Sequence, residues 1–281
     1  MWLTRSCRGE IATRIISASR ELDIDTFATY TDGDIGHTYN ASHVVRLDSP
    51  ASYLDVPAIV SLAQEHSIDA VHPGYGFLSE SPELATRMAE AGIMVIGPGA
   101  DILARTGDKL QARRLAEECL VPVLPALTTP TSSVDEVEKF ASSHGLPIMV
   151  KAVDGGGGRG IRLIRQMDDL RSFVTRAIEE SPSRSVFAEK AAVDGFRHVE
   201  VQIIGDCEGN VRHLWERECS IQRRYQKVVE LAPSTMMDRR IVKPVIEAAL
   251  RMAKQASPPL DNWCPSEMLT GPDTLSIARN L

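Results

Sequence analysis

The chain has 281 residues, of which 43% are hydrophobic and 25% are charged, and its formal net charge is −7. This length and composition predict a substantial buried core divided among two or three lobes. No apolar run approaches the roughly 18 residues that a membrane helix needs, so we expect no membrane partner. The acidic balance argues against a nucleic-acid partner as well.

The cysteines are scattered along the chain, without the paired spacing of a disulfide framework or a structural zinc site. This pattern predicts a reducing compartment, and we expect a cytoplasmic location. Four arginines among the first twenty residues keep a mitochondrial leader as the alternative. Glu10 and the helical spacing of the nearby isoleucines favour a folded first helix.

Helical and extended patterns alternate through the first hundred residues. The spacing predicts a helix over residues 11–22 and a strand over 25–30. The alternation continues with a helix over 53–66, a strand over 68–72, a helix over 82–91 and a strand over 93–96. Repeated strand–helix units predict a parallel sheet covered by helices on both faces, with ligands near the carboxyl ends of its strands. We expect this first lobe to end near Gly107.

The next segment has the pattern of a small α+β flap, from about residue 122 to 185. A capping box at 133–136 and the pair Gly145 and Pro147 mark the start and end of one helix. A strand over 146–150, a returning strand over 161–164 and a helix over 167–180 follow. Such a flap is typical of a lid that excludes water from a reacting intermediate.

The two strands of the flap are joined by the run KAVDGGGGRG at residues 151–160. Glycines let backbone N–H groups approach an anion closely. Lys151 before the glycines and Arg159 among them favour a phosphate site. The spacing matches neither the Walker pattern nor the dinucleotide fingerprint, so a structural hairpin is the alternative.

Beyond the flap, residues 185–190 have a strand pattern and residues 197–204 alternate strictly. One face of the second strand is apolar, and the other carries His198, Glu200 and Gln202. This polar face either meets solvent on an edge strand or forms a floor that holds ribose hydroxyls or phosphates. Residues 215–230 are dense in charge, which usually marks a solvated face. Their apolar flanks favour a cleft where Lys227 or an arginine meets an anionic substrate.

Seven blocks of the chain resemble the biotin carboxylase component of the biotin-dependent carboxylases, a branch of the ATP-grasp superfamily. The blocks are RGEIA at 8–12, HPGYGFLSE at 72–80, IGP at 96–98, GDK at 107–109, the run 151–160, RHVEVQ at 197–202 and residues 216–233. The resemblance implies an α/β fold. Its parts are a Rossmann-like (pre-ATP-grasp) N-terminal domain over 1–107 and an ATP-grasp domain over 108–281. The lid belongs to the second domain, whose C-terminal α+β lobe is incomplete.

Proteins of this family are ligases that use ATP with Mg²⁺ or Mn²⁺ to activate bicarbonate as carboxyphosphate and to carboxylate N1′ of biotin. The resemblance therefore implies ATP, bicarbonate and a biotinyl carrier domain as partners. It also makes a homodimer a candidate assembly. The implied nucleotide contacts are Lys109, Lys151, Gly157, Gly158, Glu189, Lys190, His198, Gln222 and Tyr225. Lys227 is the implied catalytic residue, where it helps to hold bicarbonate. Tyr225 stands where many members of the family have histidine.

Two regions depart from the family pattern. Cys7 replaces an asparagine, so we expect the first strand to be shortened or remade. Residues 256–269 contain three prolines and make a poor central strand. Within them Glu267 is the candidate metal ligand, and an exposed surface glutamate is the alternative. The sequence has no counterpart to the segment that supplies the second magnesium glutamate, the bicarbonate arginine and the general base.

These departures lead us to expect a biotin-carboxylase-type ATP-binding domain that is not competent for turnover as this chain. The first alternative is a nucleotide-binding pseudoenzyme or a truncated gene product. Another ATP-grasp ligase, of the carbamoyl phosphate synthase type, is disfavoured by the blocks at 72–80 and 216–230. The final acceptor, which is pyruvate, an acyl-CoA or urea among the relatives, is not specified by these residues.

Overall fold

The structure is a computed structural model that describes residues 2–5, 8–107, 109–153, 160–193, 195–206, 209–223, 226–234, 238–256 and 275–280. For residues 2–5, 109–110, 226 and 275–280 the description covers the backbone. The strands are β1 (Trp2–Arg5), β2 (Asp25–Tyr30), β3 (His43–Arg46), β4 (Ala70–His72), β5 (Met94–Val95), β6 (Ile148–Ala152), β7 (Ile161–Ile164), β8 (Val186–Lys190), β9 (Phe196–Gly205), β10 (Val211–Arg223), β11 (Gln226–Leu231) and β12 (Leu275–Asn280). The helices are α1 (Gly9–Glu21), α2 (Val56–Glu65), α3 (Pro82–Glu90), α4 (Ala100–Gly107), α5 (Lys109–Glu118), α6 (Val134–His144), α7 (Met167–Glu180) and α8 (Arg239–Ala256).

The first sheet has the strand order β3-β2-β1-β4-β5, and every neighbouring pair is parallel. The predicted parallel sheet is therefore confirmed, and the fold is a mixed α/β fold. β1, the strand in doubt because of Cys7, is a four-residue strand at the centre of this sheet. β3 was not predicted, because its residues are mainly exposed and show no apolar alternation.

The core of this first part is built from α2, α3 and the strand ends. Tyr53, Ile59, Leu84 and Met88 are among its fully buried side chains. Both helices begin at residues that suit a helix start, because Asp55 and Ser81 accept hydrogen bonds from backbone N–H groups three residues later. A proline then occupies the first turn of each helix.

The helix, hairpin and helix predicted for the flap are present, and the β6–β7 hairpin lies between α6 and α7 in the chain. Ser133 caps α6 by accepting from the backbone N–H of Glu136, and Gly145 ends the helix with a φ of 72°. The antiparallel sheet has the order β7-β6-β8, so it includes a strand beyond residue 185. β8 belongs there because Val186 and Ala188 complete the apolar face that packs on the two helices.

The third sheet has the order β11-β10-β9-β12. β9 and β12 are antiparallel, with Val199 opposite Ile277. β10 and β11 form an antiparallel pair whose register shifts between Glu218 and Gln222. β12 and α8 are elements that the sequence patterns did not predict. The proline-containing segment over 257–269 lies outside the described residues.

The chain divides into two compact units. One contains the first sheet and its helices, through Ala112, together with Gln202–Leu214. The other contains Arg113–Val201 and Trp215–Ala248, and with them the flap and most of the third sheet. Among the described residues, no helix has the length and apolar character needed to cross a membrane.

Gly160, immediately before β7, gives a test of how tightly the hairpin is packed. Its φ is 75°, and an added Cβ would lie 2.8 Å from the Cβ of Ala152. We expect Gly160→Ala to lower the free energy of unfolding by about 1–3 kcal/mol, since a left-handed conformation and overpacking both cost energy. Urea unfolding and amide exchange at Ala152, which donates to the Gly160 carbonyl, measure the effect.

Gly97→Ala is the matched control. A Cβ at Gly97 meets nothing within 4 Å, and its φ lies outside the left-handed region. Equal unfolding midpoints for the two variants would show that the hairpin does not require glycine at residue 160.

Candidate functional site

The two faces of the flap sheet have different characters. Ile148, Val150, Val186 and Ala188 form one face, which is fully buried against α6 and α7. Lys151 and Glu189 lie on the other face, since Lys151 pairs with Phe187 and side chains alternate along a strand. Lys151 and Glu189 are partly exposed on this second face, at the end of β6 where the glycine-rich run begins.

Lys151 and Glu189 form an ion pair across these strands through Nζ and Oε1. Their side chains are 27% and 32% exposed, so neither charge is taken fully out of water. The Lys151 ammonium group therefore has further N–H groups that it can donate to an anion. The glutamate in turn limits the orientations that the lysine side chain adopts.

Lys190, the next residue on β8, lies on the opposite face. Its Nζ donates to the backbone carbonyls of Gly145 and Leu146, at 3.2 and 2.9 Å. These carbonyls follow the end of α6, so the lysine fixes the turn between α6 and β6. Its ammonium group and the Lys151–Glu189 pair therefore lie on different faces of the same sheet.

A second group of charges surrounds Glu200 on β9. The side chain of Glu200 is 3% exposed, and its two oxygens accept from Lys227 of β11 and Arg217 of β10. Arg217 also lies near Glu230, with Nε 3.2 Å from Oε2. His198 completes the group, with Nε2 3.6 Å from Oε1 of Glu200. Three strands thus bring two cations and a histidine to one buried carboxylate.

The pKa values of both Glu200 and His198 are lowered, which favours the charged form of the carboxylate and the neutral form of the imidazole. Burial alone would raise the pKa of Glu200, but hydrogen bonds from Lys227 and Arg217 outweigh it and lower the pKa below its ordinary value. Burial lowers the pKa of His198, and the charges of Lys227 and Arg217 lower it further against the attraction of Glu200. The carboxylate is therefore ionised and the imidazole neutral at neutral pH.

Glu216 and Glu218, alternate residues of β10, are buried and hydrogen-bonded as well. Glu216 accepts from both terminal nitrogens of Arg239 and from the backbone N–H of Ser234. Glu218 accepts from Arg197, from the Ser234 hydroxyl at 2.7 Å and from Ser220 at 3.2 Å. Ser234 therefore ties the segment after β11 to both carboxylates.

The structure brings some of the predicted site residues together. His198, Gln222 and Lys227 belong to the group around Glu200, and Lys151 contacts Glu189. Lys109 is the first residue of α5, and its side chain is not described. Four further predictions lie outside the described residues: Gly157, Gly158, Tyr225 and Glu267.

Sequence reasoning missed Arg217, Ser234 and Arg239 as partners of the buried carboxylates. Arg217 lies within the charge-dense run, for which the sequence predicted a cleft with a lysine or an arginine. The sequence did not predict that Glu200 is its partner. Arg239 is 23 residues from Glu216, and no local pattern connects the two. In the part of the chain that the structure describes, no cluster of three or more His, Cys, Asp or Glu side chains could hold a metal ion.

Comparisons with known proteins decide the family. A family model described as biotin carboxylase, N-terminal domain, matches residues 4–103. A second, described as carbamoyl-phosphate synthase L chain, ATP binding domain, matches residues 108–259. The chain belongs to the biotin carboxylase family. It carries the biotin carboxylase N-terminal and ATP-grasp regions, which confirms the resemblance seen in the sequence.

Curated biotin carboxylase relatives include pyruvate carboxylases. The mitochondrial pyruvate carboxylase of Rattus norvegicus is 42% identical over 258 residues, covering 88% of this chain and 22% of that protein. The pyruvate carboxylase of Bacillus subtilis is 42% identical over 260 residues, covering 89% of this chain and 23% of that protein. The chain thus spans less than a quarter of the length of these relatives.

Solved biotin carboxylase structures share the fold. The biotin carboxylase of Campylobacter jejuni, in a complex named β-γ-ATP, is 33% identical with a TM-score of 0.84. The match covers 91% of this chain and 59% of that one. The biotin carboxylase domain dimer of the Hydrogenobacter thermophilus 2-oxoglutarate carboxylase, with MgADP, ADP and bicarbonate, is 35% identical with a TM-score of 0.83. That match covers 91% of this chain and 58% of the other.

The buried glutamates predict a dependence of stability on pH. The pKa values of Glu200, Glu216 and Glu218 are lowered in the folded chain, so the unfolded chain binds more protons at acid pH. Stability from these groups is present above the unfolded glutamate pKa of about 4.3 and is lost as pH falls through the lower folded pKa values. Chemical unfolding measured between about pH 3 and pH 7 should show this loss.

Glu218→Gln should flatten this profile and lower stability at neutral pH by about 1.5–3 kcal/mol, the value of a hydrogen bond to a charged group. The control is Glu83→Gln, because Glu83 is 57% exposed and pairs with Arg87 on the surface of α3. An acid profile identical in wild type and Glu218→Gln would rule out a contribution from Glu218.

Proposed function

We propose that this chain forms the ATP- and bicarbonate-binding part of a biotin carboxylase, a ligase that carboxylates carrier-bound biotin. The observation that carries the proposal is the group around Glu200, where Lys227 and Arg217 share one buried carboxylate beside His198. Phosphoryl transfer requires fixed cations and N–H donors more than a protein nucleophile. This group and the flap supply such cations.

In this proposal the flap binds the nucleotide. Lys151 contacts ATP phosphates from the open face of the flap sheet, and Glu189 orients it through their ion pair. Lys109 adds a second cation, and Gly157 and Gly158 close over the phosphates with backbone donors. Lys190 contributes to the adenine site through its position on β8 and not through its ammonium group, because that group already donates to two carbonyls of the flap.

The third sheet supplies the other half of the proposed site. His198, Gln222 and Tyr225 contact the nucleotide, and Lys227 holds bicarbonate. Glu200 keeps the Lys227 ammonium in one place by accepting its hydrogen bond. Glu200 carries one negative charge against the two positive charges of Lys227 and Arg217. It therefore offsets these charges only in part, and the cations can still attract a small anion.

Relatives support the choice of ligands. The Hydrogenobacter thermophilus domain binds MgADP, ADP and bicarbonate, and it is a dimer. By extension we propose ATP with Mg²⁺ or Mn²⁺, bicarbonate and a biotinyl carrier domain as partners of this chain, and a homodimer as its assembly. Glu267 is the proposed metal ligand.

The domain boundary and the location also remain proposals. We place the N-terminal domain over 1–107 and the ATP-grasp domain over 108–281, with a lid from about 122 to 185, which the two family matches support. A cytoplasmic location is proposed from the scattered cysteines. A mitochondrial one is the alternative, because matching pyruvate carboxylases are mitochondrial.

ATP binding tests the role of Lys151. We expect Lys151→Ala to weaken ATP binding by about tenfold or more, because one hydrogen bond to a charged group contributes about 1.5–3 kcal/mol. Isothermal titration calorimetry of the folded variants measures the change in the ATP dissociation constant. Lys139→Ala, which removes an exposed lysine from α6 of the same flap, is the matched control. Similar affinities for the two variants would contradict the assignment of Lys151.

Turnover is tested separately. We propose that a polypeptide of these 281 residues binds nucleotide but does not carboxylate free biotin or a biotinylated carrier with ATP, magnesium and bicarbonate present. The reason is that Lys109, Lys151, His198 and Lys227 position anions, whereas none of them is a carboxylate base. Biotin-dependent phosphate release from ATP, abolished in Lys227→Ala, would refute this and assign the chain full activity.

A further inference from the structure

Gln222 lies next to His198 in an arrangement that restricts the protonation of the histidine. The Gln222 Nε2 atom is 2.7 Å from Nδ1 of His198 and 2.9 Å from the backbone carbonyl oxygen of Cys219. A carbonyl oxygen only accepts hydrogen bonds. The Gln222 atom between the two groups must therefore be the amide nitrogen, because an amide oxygen there would face the carbonyl oxygen at 2.9 Å.

This orientation fixes the hydrogen atoms of the pair. The amide nitrogen has two hydrogens, of which one is donated to the Cys219 carbonyl and the other to Nδ1 of His198. Nδ1 must then accept, so it carries no proton. A neutral imidazole has one N–H, and in His198 that N–H is on Nε2.

We infer that Gln222 is a positioning residue that holds His198 in its neutral Nε2–H tautomer, so that the third sheet presents an uncharged donor beside Glu200. Protonation of Nδ1 would place two N–H groups against each other. Rotating the amide would relieve that contact but would set its oxygen against the Cys219 carbonyl. The backbone of β10 thus opposes a positive charge on His198.

The charged groups facing His198 act on the same balance. Glu200 favours a cationic histidine, whereas Lys227 and Arg217 disfavour it. Burial also disfavours the cation, and together these effects lower the pKa of His198. As a result the cationic form of His198 is disfavoured beside Glu200.

The tautomer of His198 does not depend on the proposed function, whereas its use as a donor to a ligand does. We therefore test the tautomer directly, by long-range ¹H–¹⁵N correlation NMR of the ¹⁵N-histidine-labelled chain across a pH titration. The wild type should show His198 with Nε2 protonated and Nδ1 unprotonated, and with a pKa below that of free histidine. An Nδ1–H tautomer, or a pKa at or above that of free histidine, would overturn the inference.

Two variants at Gln222 separate its donor role from its packing. Gln222→Glu keeps the shape but offers an acceptor to Nδ1, so it should convert His198 to a form with Nδ1 protonated and raise its pKa. Gln222→Met keeps the length without donor or acceptor and should give a mixture of tautomers. Unchanged His198 signals in both variants would also overturn the inference.

His37 is an internal control in the same spectra. Its Nε2 lies 2.9 Å from the Thr29 carbonyl oxygen, which only accepts, so Nε2 carries a proton for an unrelated reason. His37 also belongs to the other compact unit. Its signals should not change in the Gln222 variants. ATP titration of the wild type and the same variants reports on the proposed function. A wild-type chain that shows the Nε2–H tautomer of His198 but does not bind ATP would refute that function and leave this inference intact.

Discussion

Burying a carboxylate is unfavourable unless cations and donors surround it, and this requirement organises the third sheet. Glu200, Glu216 and Glu218 are each at most 6% exposed. Each accepts a hydrogen bond from at least one arginine or lysine. Removing a cation would leave a buried charge uncompensated, so the positions of the cations are strongly constrained.

The compensating cations come from different elements, and this joins the elements to one another. Lys227 of β11 reaches Glu200 on β9, while Arg239 of α8 reaches Glu216 on β10. β11 has few other ties, because residues 227–231 are all exposed. Its place in the sheet therefore depends on its ladder with β10, on polar contacts and on Ser234, which lies shortly after the strand and bonds to both β10 glutamates.

The sequence predicted elements whose side chains follow one local period. The parallel sheet and the flap helices were readable because apolar spacing and caps such as Ser133 are local. β10 resisted such reasoning, because Trp215 has a φ of 68° and the ladder with β11 shifts after Glu218. Alternation is broken at both points. His198 and Lys227 were singled out by strand alternation and charge density, and the family resemblance gave them specific roles, whereas Arg239 is brought to Glu216 by tertiary folding alone.

The same electrostatics separate anion binding from proton transfer in the described residues. A general base works best when its pKa lies near the operating pH. The cations around Glu200 lower its pKa, as Arg239 lowers that of Glu216 and Ser234 and Arg197 lower that of Glu218. Carboxylates that strongly hold their cations are weak bases. These three glutamates therefore suit the task of orienting lysine and arginine, and under the proposed function the proton acceptor for bicarbonate is a different group.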